Sequence, residues 1–142
     1  ARSAVSLNEK NYLCKFSFAL AYYYGSNFDL ALNHSYNSIK LNNKFAHGRR
    51  LFGSALFTIE EKKRAYSEME KALMLYDDIY GQWRTYFELW RFNFMDGEIK
   101  ESQKYSRKLI QLKDDYPQSY IAYLASCSKK DSSIKAKKNK FL

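Results

Sequence analysis

An all-α fold of about seven helices, paired in successive hairpins, is predicted by three features of the 142-residue sequence. The first is a recurrence. Shifting the stretch 50–75 back by 34 residues carries Gly53, Ala65 and Ala72 onto Ala19, Ala31 and Ser38, all small, and Leu56 and Leu75 onto Tyr22 and Leu41, without a gap. The second is where those small residues stand. A glycine inside a helix costs about 1 kcal/mol relative to alanine, so Gly53 in mid-helix predicts a neighbouring backbone close by, with Ala65 and Ala72 on the opposing face. The third is composition: 18% aromatic residues with a single proline suit helical hairpins better than β architecture.

The helices follow in order. Ser6 and Glu9 have the spacing of a capping box, which starts the first helix near Leu7; it runs to Tyr24 and stops at Gly25. Asn27 caps a second helix from Phe28 to Leu41, and Asn42, Asn43 and Lys44 form a polar break. The central pair covers about 45–58 and 59–76, with Thr58 and Glu61 as a capping box between them. A longer connection, 77–82, leads to helices at about 83–95 and 98–114, joined through Gly97. Shifting forward by 37 residues places Trp90, Ser102, Leu109 and Leu112 at the positions of Gly53, Ala65, Ala72 and Leu75. Pro117 suits the first turn of a closing helix at about 118–128. The remaining residues, 129–142, show no apolar stripe and read as a basic, disordered tail.

A two-helix unit of 34 residues with small residues at these offsets resembles the tetratricopeptide repeat (TPR) family. The matching residues are Phe18, Ala19, Tyr22, Ala31 and Leu41 in the first copy, and Phe52, Gly53, Leu56, Ala65, Ala72 and Leu75 in the second. In the third they are Leu89, Gly97, Ser102 and Leu112. Trp90 and Leu109 depart from the family's small residues, and its repeat-closing proline occurs only as Pro117. The resemblance implies an α-α superhelix: a domain over residues 1–128 with repeats at about 12–44, 46–78 and 83–116 and a closing helix, followed by the tail. Repeats of this kind cannot bury their apolar faces singly, so about three are needed.

The net charge of +9 is concentrated at one end: six lysines and one aspartate give the last fourteen residues +5, leaving +4 for the rest. A terminal lysine cluster is an ordinary solvated segment, and nucleic acid is the disfavoured partner. Cys14 and Cys127 lie in the first and last helices and are expected not to pair, as in a reducing, cytoplasmic setting. No run approaches the ~18 apolar residues of a membrane span. The chain does not open with methionine, as expected of a piece of a longer protein.

Enzyme signatures are missing. His34 and His47 have neither zinc-site spacing nor a nearby cysteine, the five glycines form no phosphate loop, and adjacent carboxylates on one helix do not face one site. No catalytic residue, metal or cofactor is assigned. The resemblance implies instead a groove lined by the first helix of each pair, holding a partner peptide or helix. By position it takes Phe16, Leu20, Tyr23 and Tyr24 from the first copy, Arg50, Ser54 and Phe57 from the second, and Arg84, Phe87, Arg91 and Phe94 from the third. Aromatic and arginine side chains are enriched at interfaces, and the arginines imply a partner with acidic and apolar character. Phe16 and Leu20 stand where carboxylate-gripping members of the family carry lysine and asparagine, which disfavours that subclass. The expected function is protein–protein interaction, as in the repeat region of a larger bacterial transcription regulator. A small TPR-type secretion chaperone is the alternative, and homo-oligomer formation is left open.

Overall fold

The computed structural model describes residues 2–140, with side chains from 11 to 129. Among them seven helices follow one another: α1 (Arg2–Tyr24), α2 (Phe28–Leu41), α3 (Ala46–Thr58), α4 (Lys62–Leu75), α5 (Ile79–Met95), α6 (Ile99–Leu112) and α7 (Pro117–Lys140). They fall into two compact units, Ala1–Asp77 and Asp78–Leu142. Within the first, α1 packs on α2, α2 on α3 and α3 on α4; within the second, α5 packs on α6 and α6 on α7.

The three hairpins close in one way, which the sequence suggests only for the third, through Gly97. Each first helix ends in a Schellman turn, whose two bonds satisfy carbonyls that have no partner further along the helix. The amides of Ser26 and Asn27 donate to Tyr23 and Tyr22, those of Glu60 and Glu61 to Phe57 and Leu56, and those of Gly97 and Glu98 to Phe94 and Asn93. The turn needs one left-handed residue, and Ser26 (φ 62°), Glu60 (φ 67°) and Gly97 (φ 81°) supply it. Gly25 is therefore not the left-handed residue of the first turn. The Thr58–Glu61 capping box is also absent: the Glu61 amide it requires is already bonded to Leu56, and the Thr58 hydroxyl turns back to donate to Ala55.

Only the third turn has the residue that adopts this conformation without strain. Left-handed backbone costs an L-residue about 1–2 kcal/mol, and part of that gain is returned through glycine's freer unfolded chain. Ser26→Gly and Glu60→Gly are each expected to stabilise the fold by about 0.5 kcal/mol, and Gly97→Ala to destabilise it by about 1 kcal/mol. A Cβ at Gly97 would meet nothing within 4 Å, so the last effect is purely conformational. Urea midpoints of the three variants are the check; a fall in either serine or glutamate replacement would show that the hydroxyl or carboxylate contributes more than the backbone loses.

Other boundaries follow from local chemistry. Asn27 caps α2 as expected, its Oδ1 accepting from the Leu30 amide at 3.4 Å. α5 starts earlier than the sequence implies because Asp78 accepts from the Gly81 amide at 2.7 Å, so residues 79–82 belong to its first turn. α1 starts at Arg2, which places Ser6 and Glu9 inside the helix rather than at its start. α7 begins at Pro117, as predicted, and helical backbone continues past Ser128 to Lys140, through the lysine-rich segment read as a tail.

The repeat positions form the hairpin contacts. Ala19, Ala31, Ala65, Ala72 and Leu109 are fully buried. A Cβ on Gly53 would lie 3.2 Å from Met69 and 3.3 Å from the Ala65 carbonyl. In the first hairpin the Ser38 hydroxyl donates to the Tyr12 carbonyl at 2.8 Å; in the second Ala72 packs with Ala46 and Tyr76; in the third Leu109 packs with Trp83. These pairs, 12/38, 46/72 and 83/109, are one contact repeated at the 34- and 37-residue spacing.

Candidate partner-binding surface

The eleven residues assigned to the groove divide into three groups. In the first unit, Tyr24 is 72% exposed at the end of α1, while Phe16, Leu20 and Tyr23 are half-buried. Phe16 meets Phe45 edge to face at 5.0 Å, and Tyr23 meets Phe28 at 5.6 Å and Tyr24 at 5.7 Å. These rings form two separate groups, one around Phe16 and Phe45 and one around Tyr23, Tyr24 and Phe28, and Tyr24 is the most exposed of these rings. Arg50 is half-buried, its guanidinium 6.0 Å from the Tyr76 ring, with Nη1 buried and unpaired. Beside it the Tyr76 hydroxyl and His47 Nδ1 are hydrogen-bonded at 2.9 Å.

Ser54 and Phe57 form the second group, and the structure places both in the core rather than on a groove, at 3% and 5% exposure. Phe57 stands four residues after Gly53, hence on the same side of α3. It meets Tyr66 of α4 edge to face at 5.0 Å.

The third group lies on α5 in the second unit. Arg84, Phe87, Arg91 and Phe94 are all half-buried. Phe87 stacks on Trp83 at 5.3 Å and meets Trp90 at a tilt of 39° at the same distance, and Trp90 stacks on Phe94 at 5.3 Å. The arginines do not stand free. Glu88, 7% exposed, accepts from Arg91 at 2.7 Å and lies 3.5 Å from Arg84, so the two cations share one carboxylate and the trio carries +1. That pairing was legible in the spacing, since Glu88 is four residues after Arg84 and three before Arg91. Phe94 is partly covered by α7: Lys129 Nζ lies 4.6 Å from its ring centre and donates to its carbonyl at 2.8 Å.

The described residues offer little else of chemical use. No group of three or more His, Cys, Asp or Glu could hold a metal, both cysteines are free thiols, and no helix is long and apolar enough to cross a membrane. His34 stacks on Tyr22 at 5.4 Å and lies 5.6 Å from Phe18, between the first two helices.

No family model matches the chain, and no curated protein matches it in sequence. Among solved structures it is similar to the TPR domain of Arabidopsis OM64. The TM-score is 0.69 at 18% identity, over 84% of this chain and 96% of that one. Three helical hairpins of common register, closed by common turns and followed by a further helix, together with that likeness, give this chain the all-α fold of a tetratricopeptide repeat domain.

Proposed function

We propose that the chain is a protein-interaction module that binds a partner peptide or helix on the first-helix faces of its hairpins, without chemistry of its own. The observation that carries this reading is the state of the α5 stripe: Arg84 and Arg91 are oriented by Glu88 and lie over the rings of Phe87 and Phe92. Side chains held in this way lose little freedom on binding, and planar guanidinium groups beside rings are typical anchors. With +1 on the trio, the partner is acidic as well as apolar. The fold fits such a role in the repeat region of a larger transcription regulator.

The test is a pull-down from lysate, followed by titration of the recovered protein against variants. Arg91→Glu on α5 and Tyr24→Ala on α1 are each expected to weaken it by about 1 kcal/mol or more. Lys108→Glu, exposed on α6, should leave affinity unchanged. Added salt should weaken binding moderately and shrink the Arg91 effect. If both first-helix variants bind like wild type while Lys108→Glu does not, the site lies on the second helices and this assignment fails.

A further inference from the structure

The first unit has a cleft of about 310 Å³ lined by Asn43 and Lys44 of the α2–α3 turn, Arg49 of α3, and Lys71, Met74 and Leu75 of α4. That volume is at the small end of ligand sites, room for a side chain or two. One wall is cationic and built in place. Arg49 donates through Nε to the Asn43 carbonyl at 3.0 Å and through Nη1 to Glu68 at 2.8 Å, so its guanidinium is locked from two sides. Lys71 reaches the other oxygen of Glu68 at 3.2 Å. The Lys44 backbone is fixed by its amide donating to Asn42 Oδ1 at 3.2 Å, while its exposed side chain forms no ion pair among the described residues. Two of the three cations that line the cleft share one nearly buried carboxylate, Glu68, and Lys44 adds a charge with no counterion among the described residues, which leaves the cleft with a net excess of positive charge. The Arg49–Glu68 pair ties α3 to α4 and explains itself; Lys44 does no comparable work in the fold.

The other wall is apolar. Met74 is 86% exposed, the most exposed large apolar side chain described, and packing gives no reason for it. A flexible thioether is the apolar side chain best able to mould itself to a guest. Converging like charges repel unless an anion neutralises them, and here they lie beside an adaptable apolar surface.

We infer that this cleft is a second docking site, taking the carboxylate of an acidic residue against Lys44, Arg49 and Lys71 and an adjoining aliphatic side chain against Met74 and Leu75. The site is separate from the α1 and α5 surfaces and stands whether or not they bind a partner. The probe is the capped heptapeptide Gly-Ser-Leu-Glu-Leu-Ser-Gly, titrated into the full chain with the Met74 methyl and Arg49 Nε–H signals followed by NMR. Both signals are expected to move and saturate. The Gln-for-Glu peptide should bind about tenfold more weakly at low salt, and Lys44→Glu should cause a similar loss, since each changes one charge contact at a partly screened site. Arg91→Glu should bind the peptide like wild type, which separates this site from the α5 surface. Equal binding of the two peptides, full binding by Lys44→Glu, or shifts confined to other residues would each overturn the inference. So would inorganic phosphate saturating the same signals at the concentrations the peptide needs, which would leave an anion site without peptide character.

Discussion

Gly53→Leu is expected to destabilise the α3–α4 hairpin by about 1–3 kcal/mol through overpacking. Even the first carbon of a side chain there would come within 3.2 Å of two Met69 atoms and 3.3 Å of the Ala65 carbonyl. Met69 can rotate, but the carbonyl belongs to the α4 backbone and yields only if the helix moves. Leucine's better helix propensity returns about 1 kcal/mol at most, so the net effect remains a loss. Gly53→Ala separates the two contributions: it gains most of the propensity and asks for a shift of a few tenths of an ångström, and should fall near neutral. Urea denaturation of both variants is the measurement. A Gly53→Leu midpoint at or above wild type would mean that the helices are not in close contact at this residue.

Gly53 was legible because a residue that opposes helix formation stood inside a helical pattern, and its 34-residue partner Ala19 was small as well. The same register located every hairpin. Asn27 and Pro117 were readable because their preferences act locally, through a cap and a fixed φ. The turns were less so. Ser26 and Glu60 adopt left-handed backbone without being glycine, and the Thr58–Glu61 motif depends on an amide that a longer-range bond captures first. For α5, residues 77–82 read as a connection, but the Asp78 carboxylate takes the Gly81 amide and makes residues 79–82 part of a first turn.

The candidate surface was legible in part. Positional carry-over selected side chains that are half-buried or exposed on α1 and α5, yet it also selected Ser54 and Phe57, whose burial depends on how α3 is rotated against α4. The cleft beside Met74 has no signature in one dimension, since it joins a turn, the start of α3 and the end of α4.

The third copy places Trp90 where the others have Gly53 and Ala19, and the structure supplies the compensation. At the position of Met69 it has Ser106, fully buried, so bulk moves from the second helix to the first. The small residues that accommodate the indoles lie on α7: Ser119, Ala122 and Ser126 are all fully buried. Trp83 Nε1 donates to Ser119 Oγ at 2.9 Å and Trp90 Nε1 to Ser126 Oγ at 3.0 Å, two rungs seven residues apart that fasten α7 to α5.

Trp83 is the more buried of the two, at 6% exposure, and is in contact with Leu109, Ala122 and Phe87 as well as Tyr116, whose ring meets it edge to face at 5.2 Å. Removing it leaves a cavity at the junction of three helices, and Trp83→Ala is expected to cost about 3–5 kcal/mol. Trp83→Phe retains most of the ring and deletes the donor. Ser119 Oγ still has the Lys113 carbonyl at 3.1 Å to donate to, so no buried hydroxyl is stranded and the loss should be about 1–2 kcal/mol. Enlarging the opposite side is the complementary test: Ala122→Leu should cost about 1–3 kcal/mol, because the space it needs is filled by the indole. Paired with Trp83→Ala, that same leucine should recover part of the cavity, giving a double variant more stable than the sum of the single losses implies. Denaturant unfolding of the four variants decides it. Strict additivity of Trp83→Ala and Ala122→Leu would show that the indole and α7 do not share this space, and that something other than the tryptophans holds α7 in place.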